Sequence, residues 1–152
     1  MAGYMVYWRT YWSDTDGEFP PPAFWSTDSQ VFHSKVNPGD RIWILIPAQQ
    51  PMHDQWRLLG RVYAKEREPE PRSSRWGRYH IAGDPERSTF YDPARQPDFT
   101  AILLLLQFES QTPIRVIGPQ IGKSFQSHGH RTLSDRDIVL LEEYGAALER
   151  IR

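Results

Sequence analysis

Arg41-Ile42-Trp43-Ile44-Leu45-Ile46 is apolar at every position after the arginine and follows directly on Val36-Asn37-Pro38-Gly39-Asp40. Proline presets φ and glycine supplies a positive φ, so the preceding pentapeptide predicts a tight turn. A short run with no polar side predicts a strand buried on both faces and therefore central in its sheet. Trp43, inside that run, is a core residue on this reading.

The remaining elements are read around that strand. Tyr4–Arg9 alternates bulky and smaller residues and predicts a first strand. Asp14-Thr15-Asp16-Gly17 breaks it, and Phe19-Pro20-Pro21-Pro22 makes an extended connector that no helix can include. Ser26 or Thr27 is placed to cap a short helical turn through Phe32. Gln55–Ala64 predicts a strand paired with Arg41–Ile46 through a longer hairpin at Pro47–Gln55. Lys65–Asp98 is polar and punctuated by proline and glycine, which predicts a long loop with exposed basic side chains. Phe99–Glu109 predicts a strongly hydrophobic strand, and Ile114–Ile117 a short one. Ser134 caps a C-terminal helix, Asp137 completes a capping-box pattern, and Ile138, Leu141, Tyr144, Leu148 and Ile151 form an apolar stripe. The order predicts an α+β class: a small curled sheet or barrel of about five or six strands, mostly antiparallel or mixed, with peripheral helices.

Composition narrows the functional classes. At 152 residues, one domain spanning 1–152 is the economical reading. With no cysteine, disulfide frameworks and Cys-ligated zinc are excluded. The longest apolar run, Ala101–Leu106, is far short of the roughly 20 residues a membrane helix needs. No basic leader with a cleavage signal is readable at Met1–Trp8, so the expected compartment is the cytoplasm. A net charge of −1 argues against a sequence-independent nucleic-acid coat. The cluster of arginines between Arg57 and Arg78 suits one short oligonucleotide better than a long duplex. Six tryptophans are more than one small core requires and leave some for a binding surface.

Trp25, followed by the hydroxyls of Ser26 and Thr27, reads as a loop aromatic able to stack on a flat ring. Its other role would be to anchor the turn against the core. Candidates for the opposite wall of a nucleobase pocket are Trp56, Trp76, Phe90 and Tyr91; Trp76 stands in Arg75-Trp76-Gly77-Arg78, where base and phosphate contacts could combine. Ser26 and Thr27 could hydrogen-bond a base edge. Lys123, Ser124, Ser127, His128, His130 and Arg131 form a polar loop suited to phosphate or sugar. His128-Gly129-His130 lacks the acid or cysteine partners of a metal site, and the chain carries no nucleophile-triad motif and no Gly-rich phosphate loop, so no metal or cofactor is expected.

The order of these motifs resembles the PUA-like superfamily, and within it the EVE domain and its relative the YTH domain, from Tyr4 to Ile151. Asn37-Pro38-Gly39-Asp40 is similar to the EVE approach to its second strand, and Arg131-Thr132-Leu133-Ser134 to the EVE ending. Trp25-Ser26-Thr27 resembles the YTH loop whose tryptophan walls a cage around a methylated adenine. Ser127–Thr132 sits where the YTH family has a nucleic-acid-contacting loop, whereas Arg67–Pro97 departs from both patterns. The resemblance implies a binding module that takes a modified base, flipped from single-stranded DNA or RNA, into an aromatic pocket. It leaves two other readings: a nuclease or small amidohydrolase like the ASCH-type relatives, or an interaction subunit beside a nuclease or other effector in a defence complex.

Overall fold

The structure is a computed structural model and describes residues 1–49, 54–114, 121–125 and 129–150. Among them lie the strands β1 (Gly3–Tyr7), β2 (Phe24–Thr27), β3 (Arg41–Pro47), β4 (Trp56–Arg67), β5 (Tyr79–Gly83), β6 (Thr89–Phe90) and β7 (His130–Thr132). The helices are α1 (Tyr11–Thr15), α2 (Gln30–Lys35), α3 (Thr100–Leu103) and α4 (Asp135–Arg150). No helix of the described residues is long and apolar enough to cross a membrane.

All seven strands join one sheet in the order β2-β5-β4-β3-β1-β7, with β6 beside β4. As its two apolar faces require, β3 is central, parallel to β1 and antiparallel to β4, and Ile42–Ile46 are fully buried. The middle of the hairpin expected at Pro47–Gln55, residues 50–53, lies outside the described residues. The turn before β3 has Gly39 at φ +90°. Asp40 closes that turn, its carboxylate accepting from Asn37 N–H and from Ala2 N–H, both at 2.9 Å.

Strand β4 is used twice. Trp56–Tyr63 pairs with β3, and Ala64–Arg67 pairs with β5. Register shifts at Ile44/Leu45 and Ala64/Glu66 mark bulges, which bend a strand and increase its twist. The sheet therefore curls, giving a mixed α+β architecture with few helices. Two cores result. Met5, Trp43 and Leu45 pack with residues of α3 and α4, while Val6, Ile42, Ile44 and Ile46 pack with Phe32 of α2 and with Trp25.

Helix α4 begins as its sequence requires. Ser134 Oγ accepts from Asp137 N–H at 3.2 Å, and Asp137 Oδ2 accepts from Ser134 N–H at 3.0 Å. Ile138, Leu141 and Leu148 are buried and Tyr144 packs against them; Ile151 lies outside the described residues. Glu142 holds the helix to the sheet through Arg41 and Arg61.

Four sequence expectations are corrected. Trp25-Ser26-Thr27 is an edge strand rather than a loop, and Ser29 rather than Ser26 or Thr27 caps the following helix, accepting from Phe32 N–H. Lys65–Asp98 is not one long loop: it contains the end of β4, β5, β6 and a 3-10 turn at Pro93–Arg95. Arg67, Arg72, Arg75 and Arg78 are nonetheless exposed, as expected. Phe99–Glu109 is α3 followed by turns, not a strand, with Leu104 and Leu105 exposed. Asp98 starts that helix, its Oδ1 accepting from Thr100 N–H, Thr100 Oγ1–H and Trp56 N–H. Burial pushes the Asp98 carboxyl up, but these bonds and the Arg57 charge outweigh it and hold it below the usual range. Their stabilisation is present above the ordinary carboxylate pKa of about 3.9 and is lost as pH falls through the lowered folded value. The strand expected at Ile114–Ile117 lies outside the described residues beyond Ile114.

Candidate functional site

Curling brings β2 opposite the end of β1, and a cavity of about 220 Å³ opens between them. Phe24, Trp25 and Ser26 line it from β2, and Tyr7, Trp8, Arg9 and Thr10 from β1 and the residues after it. Ile44 of β3 and Phe90 of β6 add apolar surface, Asp14 comes from α1, and Arg75-Trp76 from the β4–β5 connection.

The aromatic walls are braced. Trp8 and Trp25 meet edge to face, with ring centroids 6.1 Å apart and an interplanar angle of 83°. Trp8 Nε1–H donates to Asp14 Oδ2 at 2.8 Å, and Thr10 Oγ1–H donates to the same oxygen at 2.7 Å. Trp76 remains 41% exposed, so it is a wall with an open face. Its ring lies 6.1 Å from Phe24, beneath the Arg75 guanidinium at 4.6 Å, and Arg75 also donates to the Asp14 carbonyl at 3.2 Å.

Gly77 permits this arrangement. Its φ is +138°, and a Cβ there would stand 2.6 Å from the Thr27 backbone. Gly77→Ala is therefore expected to push the Arg75-Trp76 segment away from β2, at a cost of about 1–3 kcal/mol for the strained backbone. Denaturant unfolding would measure that loss, and a red-shifted, more quenchable tryptophan emission would show that Trp76 has left its seat.

Behind the cavity, Ser26 Oγ lies 2.6 Å from His80 Nδ1, with both side chains buried. His33 Nε2–H donates to the His80 carbonyl at 3.2 Å, which fixes the His33 tautomer. His80 Nε2 is buried with no hydrogen-bond partner among the described residues. An orphaned N–H is rarer than an unused acceptor in folded proteins, so the favoured His80 tautomer carries its proton on Nδ1 and donates to Ser26. The Ser26 hydroxyl is then free to donate elsewhere.

Of the residues singled out in the sequence, Trp25, Ser26, Trp76 and Phe90 come together here. Others do not. Trp56 is buried in the core on the α4 side, against the edge of Tyr7. Tyr91 packs in that same core with its hydroxyl beside Gly145; it comes directly after the last residue of β6, its N–H donates to the Leu59 carbonyl, and its side chain faces away from that of Phe90. Thr27 does not line the cavity; its Oγ1 accepts from Ser29 N–H.

The described residues of the expected phosphate-contacting loop, Ser124, His130 and Arg131, are committed within the fold. His130 stacks on Phe32 at 4.4 Å and meets Tyr4 edge-on at 5.7 Å. Arg131 covers the Phe108 ring at 4.2 Å and donates to the carbonyls of Ser124 and Thr112. Burial lowers its pKa, and its hydrogen bonds clamp the two loops together. Ser124 serves that clamp through its backbone; the Lys123 side chain, Ser127 and His128 lie outside the described residues. Among the described residues, the cations at the cavity are Arg9 and Arg75, both exposed. Trp8, Arg9, Phe24 and Asp14 do not stand out in the sequence. The signal they carry is local: a Trp-Arg-Thr run ending a strand, with Asp14 one helical turn after Thr10.

Neither a known protein family nor any curated protein matches the chain.

Proposed function

We propose that the chain is a PUA-like module of the EVE and YTH kind, and that its cavity receives a modified nucleobase flipped out of a nucleic-acid strand. The observation that carries this reading is a cavity walled by Trp8, Trp25 and Trp76 with two exposed arginines at its margin. Tryptophan faces stack on any base, and arginines can hold the flanking phosphates. The volume of about 220 Å³ is below the roughly 300–1,000 Å³ typical of pockets for drug-sized ligands, which suits a single ring system. Methyl groups on the base would gain about 0.8 kcal/mol per carbon buried against these walls.

Flipping costs a few kcal/mol, least in single strands, so such strands are the favoured substrate. The ASCH-type reading calls for a lysine clustered with a tyrosine and an acid. Tyr7 and Asp14 line this cavity, but its cations among the described residues are arginines.

The test is a titration of the protein with matched single strands that carry a methylated base, the plain base or an abasic position, monitored by tryptophan fluorescence at two salt concentrations. Base-bearing strands should bind more tightly than the abasic one and quench the emission. Affinity should fall with salt as expected for a few phosphate contacts. Equal binding of all three strands would remove the base pocket from consideration.

A further inference from the structure

The polar groups at the cavity differ in what they have left to offer. Asp14 Oδ2 already accepts two hydrogen bonds, from Trp8 Nε1–H and from Thr10 Oγ1–H. Asp14 Oδ1 accepts none among the described residues, although the residue lines the cavity. A carboxylate is an acceptor only, so this oxygen can be satisfied by a donor and repels a carbonyl.

We propose that Asp14 is the specificity-determining residue of the pocket, and that it selects bases presenting an exocyclic amino group over bases presenting a carbonyl at the same position. The proposal rests on the base-pocket reading. Cytosine and adenine each offer an amino N–H on the edge that a flipped base exposes, and carboxylates accept such donors in base readout generally. Thymine and uracil place an oxygen there, and so does hypoxanthine. One N–H is enough, so a base methylated once on its amino nitrogen still qualifies.

The way Asp14 is held gives the test its direction. Trp8 Nε1–H can only donate, so position 14 must present an oxygen to it. In Asp14→Asn the amide oxygen therefore stays with Trp8, and the NH₂ takes the place of Oδ1. A donor then stands where an acceptor stood, and the preferred base edge should reverse.

Two matched pairs of single strands isolate the edge. 5-Methylcytosine and thymine share a ring and a methyl group and differ in the amino or carbonyl edge; adenine and hypoxanthine do the same for purines. An abasic strand completes the set. Wild-type protein should bind the amino member of at least one pair about tenfold more tightly than its carbonyl partner, the scale of one hydrogen bond to a charged group. Asp14→Asn should bind the carbonyl member of that pair more tightly. Base-bearing strands that all outbind the abasic strand with no amino preference in the wild type, or an unchanged order in Asp14→Asn, would overturn the role of Asp14 and leave the pocket standing. No advantage of any base over the abasic strand would instead defeat the base-pocket reading. If near-UV circular dichroism shows that Asp14→Asn has lost its fold, the wild-type pairs alone decide.

Discussion

Trp25→Ala is expected to abolish discrimination between methylated and plain strands, with a loss of affinity for the methylated strand of about ten- to a hundredfold. One base–aromatic contact is worth about 1–3 kcal/mol on alanine substitution. The substitution also removes the partner that Trp8 meets edge-on at 6.1 Å, so the facing wall loses its brace. Such a ring pair contributes about 0.5–1.5 kcal/mol. Trp25 lies on an edge strand and is half-buried, so the sheet order should survive the change. Far-UV circular dichroism and the titration described above would check the two halves of this expectation. Trp25→Phe should retain part of the affinity, since a flat ring remains. Unchanged discrimination in Trp25→Ala would place the pocket elsewhere.

The largest effect on stability is expected at Asp137. This carboxylate is 1% exposed, and it ties three backbone N–H groups together. Oδ1 accepts from Gln107 at 2.9 Å, while Oδ2 accepts from Phe108 at 2.7 Å and from Ser134 at 3.0 Å. Phe108 has φ +60°, a left-handed conformation uncommon for an aromatic, and its ring fills the α4-side core. The bonds to Asp137 hold it there. Asp137→Ala leaves those donors unpaired, at about 1–3 kcal/mol for each that water cannot reach. A total of about 4 kcal/mol is a large part of the roughly 5–15 kcal/mol that keeps a domain folded. Urea unfolding should show the midpoint drop sharply. Asp137→Asn should recover only part of the loss, since its one oxygen can serve Phe108 and Ser134 while its NH₂ faces the Gln107 donor. A midpoint for Asp137→Ala within experimental error of the wild type would show that the remainder of the loop holds Phe108 unaided.

Some of this is legible in the sequence because the deciding interactions are local. The capping box at Ser134 and Asp137 and the turn at Gly39 are set by residues within four positions of each other, and both form as expected. The uninterrupted apolar run Ile42–Ile46 has to be central and is. By contrast, the apolar run in Phe99–Glu109 is compatible with a strand or a buried helix, and periodicity alone does not separate them. The Asp98–Thr100 hydrogen bonds that start α3 are the better guide. Strands β2 and β5 escape a sequence reading because Ser26, Thr27 and His80 look like loop residues; pairing across 54 positions of sequence makes them strand. The site is half-legible for the same reason. Trp25 and Trp76 are conspicuous, but Trp8 and Asp14, joined locally to each other, become cavity wall only because the curl of the sheet brings β2 against them.

The double use of β4 has a further consequence, in the order of assembly. Its first part pairs with β3 across a hairpin, a contact that closes early because few residues intervene. Its last part waits for β5, and β5 is in turn the strand on which β2 must settle from far back in the chain. The cavity wall is thus built from non-local contacts on an edge strand, which form late and are held from one side only. It should also be the first part to open in the native state. Amide hydrogens of β2 and β5 are expected to exchange through local opening, well below the global unfolding free energy, while those of β3 exchange only with the whole. A bound strand would then slow exchange in β2 and β5 in proportion to its occupancy and leave β3 unchanged.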